Sequence, residues 1–512
     1  MVIKGRIERR DFGEVSPQSN NVNAPGMGRL ASRQPQPPWR LLTDAKTLQV
    51  DLPASSTAQR RLCEEIRALP TGTRIIVCSN AMGSRWRCRR FAAAAGITLL
   101  REYVAIPSAQ APTYYVEDTP QALRYFFSHV LALPFGGAAT SAAFAAAKAA
   151  AGFVFPAALP GAVAPARIVL GRTATTPGKA DGSNQSTELL DASGMQAVVL
   201  ALSKDPNGKL TVLLIPRTTD LPKVAVKVPM TDAAQASIAA ERHVLSELRA
   251  HLPGTVLVTV PALADLPEAR GRPFLVTTAL PGVPMSTRYH AWRHLATPAA
   301  VKADFMAVER WLSRFQAFST GSATPMDMDG GLVPVLRRRF AQEPNLNQAL
   351  GRLAAIHGRL RKSRTPRTAV NGDFWFGNLL WAGHEISGVL DWEAGTIRGE
   401  PVRDLVRFAL TYALYLDRHS KSGRHVAGHP GLRAGVWGSG IEYAVDGEGW
   451  FPALFRTFLS DGLIRLGADP TRWRDLAVAG LAEVAATADH VDFASLHWQL
   501  FNRLAIAGSP TR

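Results

Sequence analysis

Cysteine is scarce in this sequence, and basic residues outnumber acidic ones. The three cysteines, Cys63, Cys78 and Cys88, are odd in number and include no CxxC pair, which argues against a disulfide framework and a zinc site. We therefore expect buried, unreactive thiols and a reducing, cytoplasmic location. The 58 Lys and Arg against 41 Asp and Glu give a net charge of +17, which suggests anionic, phosphate-bearing partners. The sequence has no run of basic residues interleaved with aromatic residues, so we do not expect nucleic-acid binding.

A long hydrophobic run is also missing. The segment MVIKGRIERRDFGE has no apolar stretch after its charges and does not resemble a secretory signal. The alanine-rich segment 141–165 contains Lys148 and three prolines. We therefore expect it to form a helix lying against a domain, and we expect no membrane association.

The chain is long enough for two or more domains, since 512 residues exceed one ordinary core. Residues 1–40 carry Asn, Ser, Gly and Pro clusters and are predicted to be a disordered lead-in. Residues 41–160 contain the strand-like runs TRIIVCSN and ITLLREYVAI around the helical pattern SRWRCRRFAAAAG, and are predicted to form a small α/β module. This order faintly resembles the carboxy-terminal half of class I methyltransferases, although the glycine-rich cofactor loop of that family is absent.

Five strand-like runs follow between positions 165 and 280: AVVLALS, KLTVLLIP, KVAVKVP, TVLVTVPALAD and RPFLVTTAL. One helical pattern, TDAAQASIAAERHVLSELRAHLPG, interrupts them, with Thr231 or Asp232 as its cap. The remainder, 281–512, has a mostly helical pattern interrupted by one hairpin pattern. We therefore predict a small five-stranded lobe with one helix, followed by a mostly helical lobe.

The hairpin pattern, NGDFWFGNLLWAGHEISGVLDWE at 371–393, places polar residues among side chains that otherwise resemble a core. Asp373 and Asn378 are five residues apart, and Asp391 follows Asn378 by 13 residues. Two short strands joined by a turn around 382–384 would bring Asp391 back beside Asn378. Phosphoryl transfer uses such a set, because one carboxylate receives the acceptor's hydroxyl proton and hard oxygen ligands hold Mg²⁺.

The segment resembles the HGDxxxxN and (I/L)D(W/F) motifs of the aminoglycoside phosphotransferase and choline kinase superfamily. The resemblance implies a protein-kinase-like, two-lobed α+β fold over about residues 165–512, with ATP as the phosphate donor. Carried onto this sequence, it implies that Asp373 is the catalytic base and that Asn378 and Asp391 bind the metal ion.

Two further positions correspond to residues that support the catalytic loop in this superfamily. The His that usually precedes Gly-Asp in the superfamily is Asn371 here, at a position that generally supports the loop. Asp404, in GEPVRDLVRFA, follows at the start of the next predicted helix, and the resemblance implies that it buttresses the catalytic loop.

Two elements upstream strengthen the resemblance. Lys227 in VAVKVP resembles the V-A-I-K lysine that neutralises the donor's phosphates. Fourteen residues later, the predicted helix offers Glu241 in AAERHVLSEL as an opposing carboxylate. Glu247 is a competitor, and we prefer Glu241 because it precedes Leu245 as in the family's E-x-x-x-L pattern.

The remaining residues of the nucleotide site are predicted from weaker sequence similarities. TALPGVPM resembles the connection between the lobes, whose backbone around Thr278, Ala279 and Leu280 meets the adenine edge in this family. The phosphate-covering loop has two possible registers. One uses DASGMQ, and we take its Ser193 and Gly194 as candidates that present backbone N–H groups to phosphate. The other uses KDPNGK, which also fits an ordinary hairpin turn.

We expect an ATP- and Mg²⁺-dependent phosphotransferase that acts on a hydroxyl of a small molecule. Residues 401–512 hold 12 Lys and Arg against 11 Asp and Glu, which favours a neutral hydroxylated acceptor. A polycationic aminoglycoside stays open because acidic residues gather near the carboxy-terminus; they are Asp475, Glu483, Asp489 and Asp492. Two alternatives are a pseudokinase-type, nucleotide-binding regulatory module and a methyltransferase-related fusion protein.

Overall fold

The structure is a computed structural model that describes residues 48–80, 83–106, 109, 113–130, 166–173, 194–200, 207–266 and 273–507. The predicted lead-in at 1–40, the alanine-rich segment 141–165 and Ser193 lie outside these ranges. The strands are β1 Leu48–Asp51, β2 Arg74–Ser79, β3 Ile97–Ile106, β4 Tyr114–Glu117, β5 Arg167–Thr173, β6 Gln196–Leu200, β7 Lys209–Ile215, β8 Val224–Pro229, β9 Leu275–Thr278, β10 Val283–Pro284, β11 Ala323–Pro325, β12 Arg364–Pro366, β13 Thr368–Val370, β14 Leu379–Ala382, β15 Glu385–Val389 and β16 Thr396–Gly399.

The helices alternate with these strands in the first half of the chain and dominate the second half. They are α1 Ser56–Arg67, α2 Ser84–Ala95, α3 Pro120–Tyr125, α4 Asp232–His251, α5 Gly254–Leu257, α6 Met285–Tyr289, α7 Pro298–Phe318, α8 Leu332–Arg339, α9 Leu346–Leu360, α10 Val402–Leu414, α11 Ser439–Asp446, α12 Trp450–Arg465, α13 Trp473–Thr487 and α14 Val491–Ala507.

The first nine strands form one sheet in the order β1-β2-β5-β3-β4-β6-β7-β8-β9. Strands β1 and β2 are parallel, and the other neighbours are antiparallel. The pairing of Tyr115 with Val199 joins β4 to β6. Strand β5 lies beyond position 165, yet it inserts between β2 and β3. The predicted module at 41–160 and the predicted lobe at 165–280 therefore share one sheet.

One face of this sheet packs into a single core. Ile76 of β2 and Val276 of β9 are seven strands apart in the sheet order and still belong to the same buried cluster. The sheet must therefore curve around this core. Helices α1 and α2 supply a second cluster that includes Cys63, Cys88 and Val169 of β5. All three cysteines are buried, and burial raises the pKa of the Cys88 thiol to about 11, as expected for unreactive thiols.

Local signals predicted most of the elements in this region. Helix α2 ends at Gly96, whose φ of 72° is the left-handed conformation that glycine adopts without strain. Helix α4 begins after Thr231, whose side chain accepts a hydrogen bond from the Ala234 N–H at 3.1 Å. Capping residues thus set the helix ends where the sequence pattern placed them.

The strand predicted at TVLVTV is wrong, because residues Gly254–Leu257 form the short helix α5. Val256 and Val260 are buried in the helical lobe's core, whereas Val258 is 66% exposed. In a strand all three would share one face. Burial at i and i+4 fits a helical turn instead, so packing against the second lobe overrides the β-branched composition. Among the described residues, this fourth predicted strand is represented by a single bridge between Leu263 and Thr277.

The second lobe is built from helices α6–α14 and three small sheets, β10-β14-β15, β11-β12 and β13-β16. Its large core also takes in Val244 and Leu248 of α4, so the first lobe's helix packs against the second lobe. The protein-kinase-like, two-lobed α+β fold is therefore confirmed. In the part of the chain that the structure describes, no helix is both long and apolar enough to span a bilayer.

Candidate active site

The hairpin predicted at 371–393 is present as antiparallel strands β14 and β15. Its turn residues, Gly383 and His384, have φ of 56° and 68°, as a two-residue hairpin turn of this hand requires. At the open end, the Leu390 N–H donates to the Asn378 carbonyl at 2.8 Å. The hairpin therefore brings Asn378 beside the segment that carries Asp391.

Asp404, at the start of α10, holds the residues that precede Asp373. Its two carboxylate oxygens accept hydrogen bonds from the Asn371 N–H at 2.7 Å and the Gly372 N–H at 2.9 Å. Gly372 has a φ of 82°, and a Cβ there would collide with the Ala394 carbonyl group, so only glycine fits. Burial raises the pKa of Asp404 to about 7, although the two backbone N–H groups oppose the shift.

Asn371, which stands where the superfamily has histidine, is fully buried and hydrogen-bonded. Its Nδ2 group donates to the carbonyl oxygens of Leu390 and Asp391, both at 3.1 Å. Its Oδ1 atom accepts from the Asp373 N–H at 3.2 Å. The asparagine therefore ties the Asp373 loop directly to the Asp391 segment.

Asp373 lies at the mouth of the hairpin, with its side chain 34% exposed. Its Oδ2 atom accepts from Asn378 Nδ2 at 3.1 Å. Its Oδ1 atom accepts from Arg407 Nη2 at 2.7 Å and from Nε at 3.2 Å. The sequence interpretation missed Arg407, although its position three residues after Asp404 on α10 is a signal that could have identified it.

Lys227 meets two carboxylates between the lobes. It projects from β8, and its Nζ atom lies 2.6 Å from Oε2 and 2.7 Å from Oε1 of Glu241 on α4. The same ammonium group forms an ion pair with Asp391. Glu241, and not Glu247, is therefore the helix carboxylate that faces Lys227.

The charged groups in this cluster shift one another's pKa values. Burial acts to lower the pKa of Lys227, but Asp391 and Glu241 outweigh it and the pKa is raised. Burial acts to raise the pKa of Asp391, and the Lys227 ammonium reverses the effect and lowers it. Asp391 also has a φ of 54°, in the sparsely populated left-handed region. The backbone thus holds an ionised carboxylate in a fixed orientation toward the cleft.

The donors at this point suit a magnesium ion. Asn378 and Asp391 supply an amide and a carboxylate oxygen, which are the hard ligands that Mg²⁺ prefers. Carboxylate oxygens of Glu241, Asp391 and Glu393 also lie within 4.8 Å of one another. The residues present therefore fit a divalent cation, and Glu393 is a member of the cluster that the sequence interpretation missed.

The connection between the lobes contains the three residues predicted to meet adenine. The Thr278 N–H donates to Ala262 at 2.8 Å, and the Ala279 N–H donates to Lys223 at 3.0 Å. Among the described residues, the Leu280 N–H has no backbone acceptor of this kind. Of the three predicted positions, Leu280 is therefore the one whose donor a nucleotide base could use.

The structure does not bring Gly194 to Lys227. Gly194 precedes β6, where Gln196 pairs with Ile215, whereas Lys227 pairs with Thr211. Four residues along a strand correspond to about 13 Å. Gly194 therefore lies at the far end of the strand, because β6 runs away from it toward the Lys227 level.

The described residues of the other register, KDPNGK, lie at the Lys227 end. Asn207 and Gly208 directly precede β7, and the Gly208 carbonyl accepts from the Met230 N–H at 2.9 Å. Asn207 Nδ2 also donates to Asp489 Oδ2 of the second lobe at 2.8 Å. Asn207 and Gly208, and not Gly194, lie at the end of the sheet where Lys227 projects. We therefore correct the register that uses Ser193 and Gly194.

Three of the four acidic residues considered for a polycationic acceptor already have partners. The contacts are Asp475 with Arg359 (2.5 Å), Glu483 with Arg403 (2.9 Å) and Asp489 with Asn207 (2.8 Å). These carboxylates are consequently occupied by neutralising or hydrogen-bonding groups of the chain itself.

A strand lysine, a helix glutamate and an Asp-Asn-Asp set between two lobes are typical of kinase-like phosphotransferases. Residues 211–424 match the family model described as the phosphotransferase enzyme family. The matched segment begins in β7 and ends beyond α10, so it contains every member of this set. The match shows that this part of the chain is similar to that family.

Solved structures similar to the chain include aminoglycoside phosphotransferases. One is a thermostable mutant of APH(4)-Ia in a ternary complex with ADP and hygromycin B, with 12% identity, a TM-score of 0.38, and coverage of 62% of this chain and 95% of that chain. Another is ADP-bound APH(2'')-Ib, with 14% identity, a TM-score of 0.32, and coverage of 59% and 93%. No curated protein matches the chain in sequence.

Proposed function

We propose that the protein is an ATP- and Mg²⁺-dependent phosphotransferase that moves the terminal phosphate of ATP to a hydroxyl group of a small molecule. The observation that carries this proposal is the ion pair between Lys227 of the first lobe and Asp391 of the second, 164 positions apart. Asp373 and Asn378 are joined by a hydrogen bond on the same hairpin. A merely structural core would not need these four polar groups in one cleft.

Asp373 is the group that receives the acceptor's hydroxyl proton in this proposal. Arg407 and Asn378 each hold one of its carboxylate oxygens, so the side chain is oriented before the acceptor arrives. The exposed third of the side chain is the part that an acceptor hydroxyl could reach. Positioning and proton removal by one carboxylate increase the rate of such a reaction by about 10²–10⁴-fold.

Asn378 and Asp391 would hold Mg²⁺, which supplies positive charge to the phosphates when it is bound. Lys227 would bind the inner phosphates from the opposite side of the cleft. Glu241 keeps this lysine charged and in place, because it contacts the ammonium through both of its oxygens. Leu280 would donate its N–H to the adenine edge.

The acceptor that best fits the charges is a neutral, hydroxylated molecule. The Arg407 guanidinium lies against Asp373, where it would repel a polycation. Asp475 and Glu483 are neutralised by arginines of the chain. An aminoglycoside would therefore find fewer available carboxylates than the sequence composition suggests.

The decisive experiment measures ATP consumption by the purified protein against panels of sugars, amino alcohols and aminoglycosides. We expect Mg²⁺-dependent thermal stabilisation by ATP, and turnover with a neutral hydroxylated acceptor. Stabilisation by ATP without turnover against any panel would favour the pseudokinase alternative. Absence of any nucleotide effect in the presence of Mg²⁺ would refute the proposal.

A further inference from the structure

A second lysine in the cleft repeats the placement of Lys227. Lys209 is the first residue of β7, and Lys227 pairs with Thr211 of the same strand. Residues two apart on a strand point to one face, and paired residues of neighbouring strands share that face. Lys209 and Lys227 therefore project from the same face of the sheet toward α4 and the Asp391 segment.

The contacts of the two lysines are parallel. Lys227 contacts Glu241 and Asp391. The Lys209 Nζ atom lies 2.9 Å from Ser237 Oγ and forms an ion pair with Glu393. Ser237 precedes Glu241 by one helical turn. We call Lys209, Ser237 and Glu393 the second lysine cluster; its serine replaces the carboxylate that helix α4 offers to Lys227.

This difference leaves Lys209 with one carboxylate partner where Lys227 has two. The two lysine side chains have the same exposure, 15%, and Glu393 is 27% exposed. A partly buried ammonium group with one partly exposed carboxylate partner can exchange that partner for a stronger anion. A nucleotide phosphate carries more charge than a carboxylate and has the oxygen acceptors that an ammonium group requires.

The position of Lys209 selects the phosphate end of a nucleotide. Lys209 directly follows Gly208 in the connection between β6 and β7, at the end of the strands remote from Leu280. If adenine lies at Leu280, as the proposed function requires, the phosphates extend toward Lys227 and Lys209.

We propose that Lys209 is a second phosphate-binding residue, which exchanges Glu393 for the terminal phosphates of a nucleoside triphosphate. Glu393 holds the lysine in the cleft until the nucleotide binds. This inference rests on the proposed function and adds a residue that distinguishes triphosphate from the unphosphorylated nucleoside. The competing explanation is that the Lys209–Glu393 pair only clamps the two lobes together.

The test compares dissociation constants of ATP with Mg²⁺, and of adenosine, by calorimetry. We expect Lys209→Met to weaken ATP binding by about tenfold or more, the value of one charge-assisted contact. Adenosine affinity should stay within about twofold, because the lost contact is to phosphate. In EDTA, where Glu393 can hold no metal ion, Glu393→Gln should leave ATP affinity unchanged or increase it, because the lysine is released from its competitor. Lys302→Met, at an exposed lysine of α7 away from the cleft residues, is the control and should change nothing.

A clamp predicts a different pattern. Lys209→Met and Glu393→Gln would then weaken ATP and adenosine alike and lower the unfolding temperature alike, and that result would overturn the inference. The double variant Lys209→Gln with Glu393→Gln leaves no unpaired charge and guards against misfolding of the single variant. We expect it to bind ATP as weakly as Lys209→Met. If it bound ATP as the unmodified protein does, the inference would be wrong.

The unmodified protein separates this inference from the proposed function. If it binds ATP and turns over an acceptor while Lys209→Met binds ATP equally well, only the role of Lys209 fails. If it binds no nucleotide, both fail together.

Discussion

Two ion networks in this molecule are built from similar residues and differ in their exposure. In the first half of the chain, Arg101 Nη1 lies 2.7 Å from Glu117 Oε2, and both side chains are 7% exposed. At the hairpin, Asp373 is 34% exposed although Arg407 holds it at 2.7 Å. The same kind of pair is sealed in one place and open to the cleft in the other.

The sealed network acts as a joint of the sheet. Glu117 Oε2 also accepts from the Ala197 N–H of β6 at 2.9 Å, and Arg101 donates to the Met195 carbonyl at 3.1 Å. It therefore fastens β3 and β4 to β6, where the two predicted units meet. The comparison teaches that polar partners on all sides indicate a structural role, whereas an oriented carboxylate with one open side indicates a reactive one.

Asp373→Asn is the substitution in the open network for which we expect the largest effect. The change keeps the shape of the side chain and removes the proton acceptor. We expect kcat to fall by about 10²–10⁴ while ATP affinity stays within about threefold. Steady-state kinetics and calorimetry check this, with Asp446→Asn, in an exposed pair with Arg474, as the control. Full activity in Asp373→Asn would remove the role assigned to it.

The matching change in the sealed network is Glu117→Gln. It leaves the Arg101 guanidinium buried without its carboxylate, which costs about 3 kcal/mol of unfolding free energy. We expect chemical denaturation to show this loss while kcat of the folded protein is unchanged. Glu442→Gln, whose partner Arg503 is 48% exposed, should cost less than about 1 kcal/mol. A large fall in kcat for Glu117→Gln, at equal stability, would contradict the structural assignment.

Asp391→Asn probes the end of the open network that we propose to bind the metal ion. We expect ATP affinity in the presence of Mg²⁺ to fall by about 10–100-fold, because a charged oxygen ligand becomes neutral. In EDTA, the affinities of the variant and the unmodified protein should converge. An equal loss with and without Mg²⁺ would instead indicate a contact to Lys227 that is independent of metal.

Asp404 combines the features of both networks, because it is buried and yet supports the exposed Asp373 loop. Its pKa is raised to about 7 in the folded protein by burial, above the unfolded value of about 3.9. Between these values the folded state binds more protons than the unfolded state, so stability falls as pH rises through this window. We expect the unfolding free energy to lose up to about 4 kcal/mol between pH 4 and 7 through this group. Asp404→Asn should lack that slope, and an identical slope in both proteins would exclude Asp404 as its source.

Asn371→His should have the smallest effect. Asn371 already makes hydrogen bonds to Leu390, Asp391 and Asp373, and an imidazole cannot reproduce all three. We expect kcat to change by less than about threefold, since the loop stays supported by Asp404. A rise of more than tenfold would show that the asparagine limits the activity of this chain.

Local sequence chemistry accounts for much of the site. The two-residue turn at Gly383 and His384, the Thr231 cap of α4 and the alternation around Lys227 each depend on residues close in the chain, so their patterns could be interpreted without coordinates. The order of Lys227, Glu241 and the Asp373 hairpin implied the two lobes through resemblance. These features are short-range, and short-range preferences are encoded directly in residue type.

Contacts between distant segments required the fold. The joining of β4 to β6, the helix at 254–257 and the position of Gly208 at the Lys227 end of the sheet depend on which surfaces pack together. Propensity is too weak to decide that. The contacts of Arg407 and Lys209 could be recognised only from the tertiary structure, which places α10 and β7 beside the hairpin. Residue order therefore specified the chemical groups, while burial and long-range pairing decided which of them face one another across the cleft.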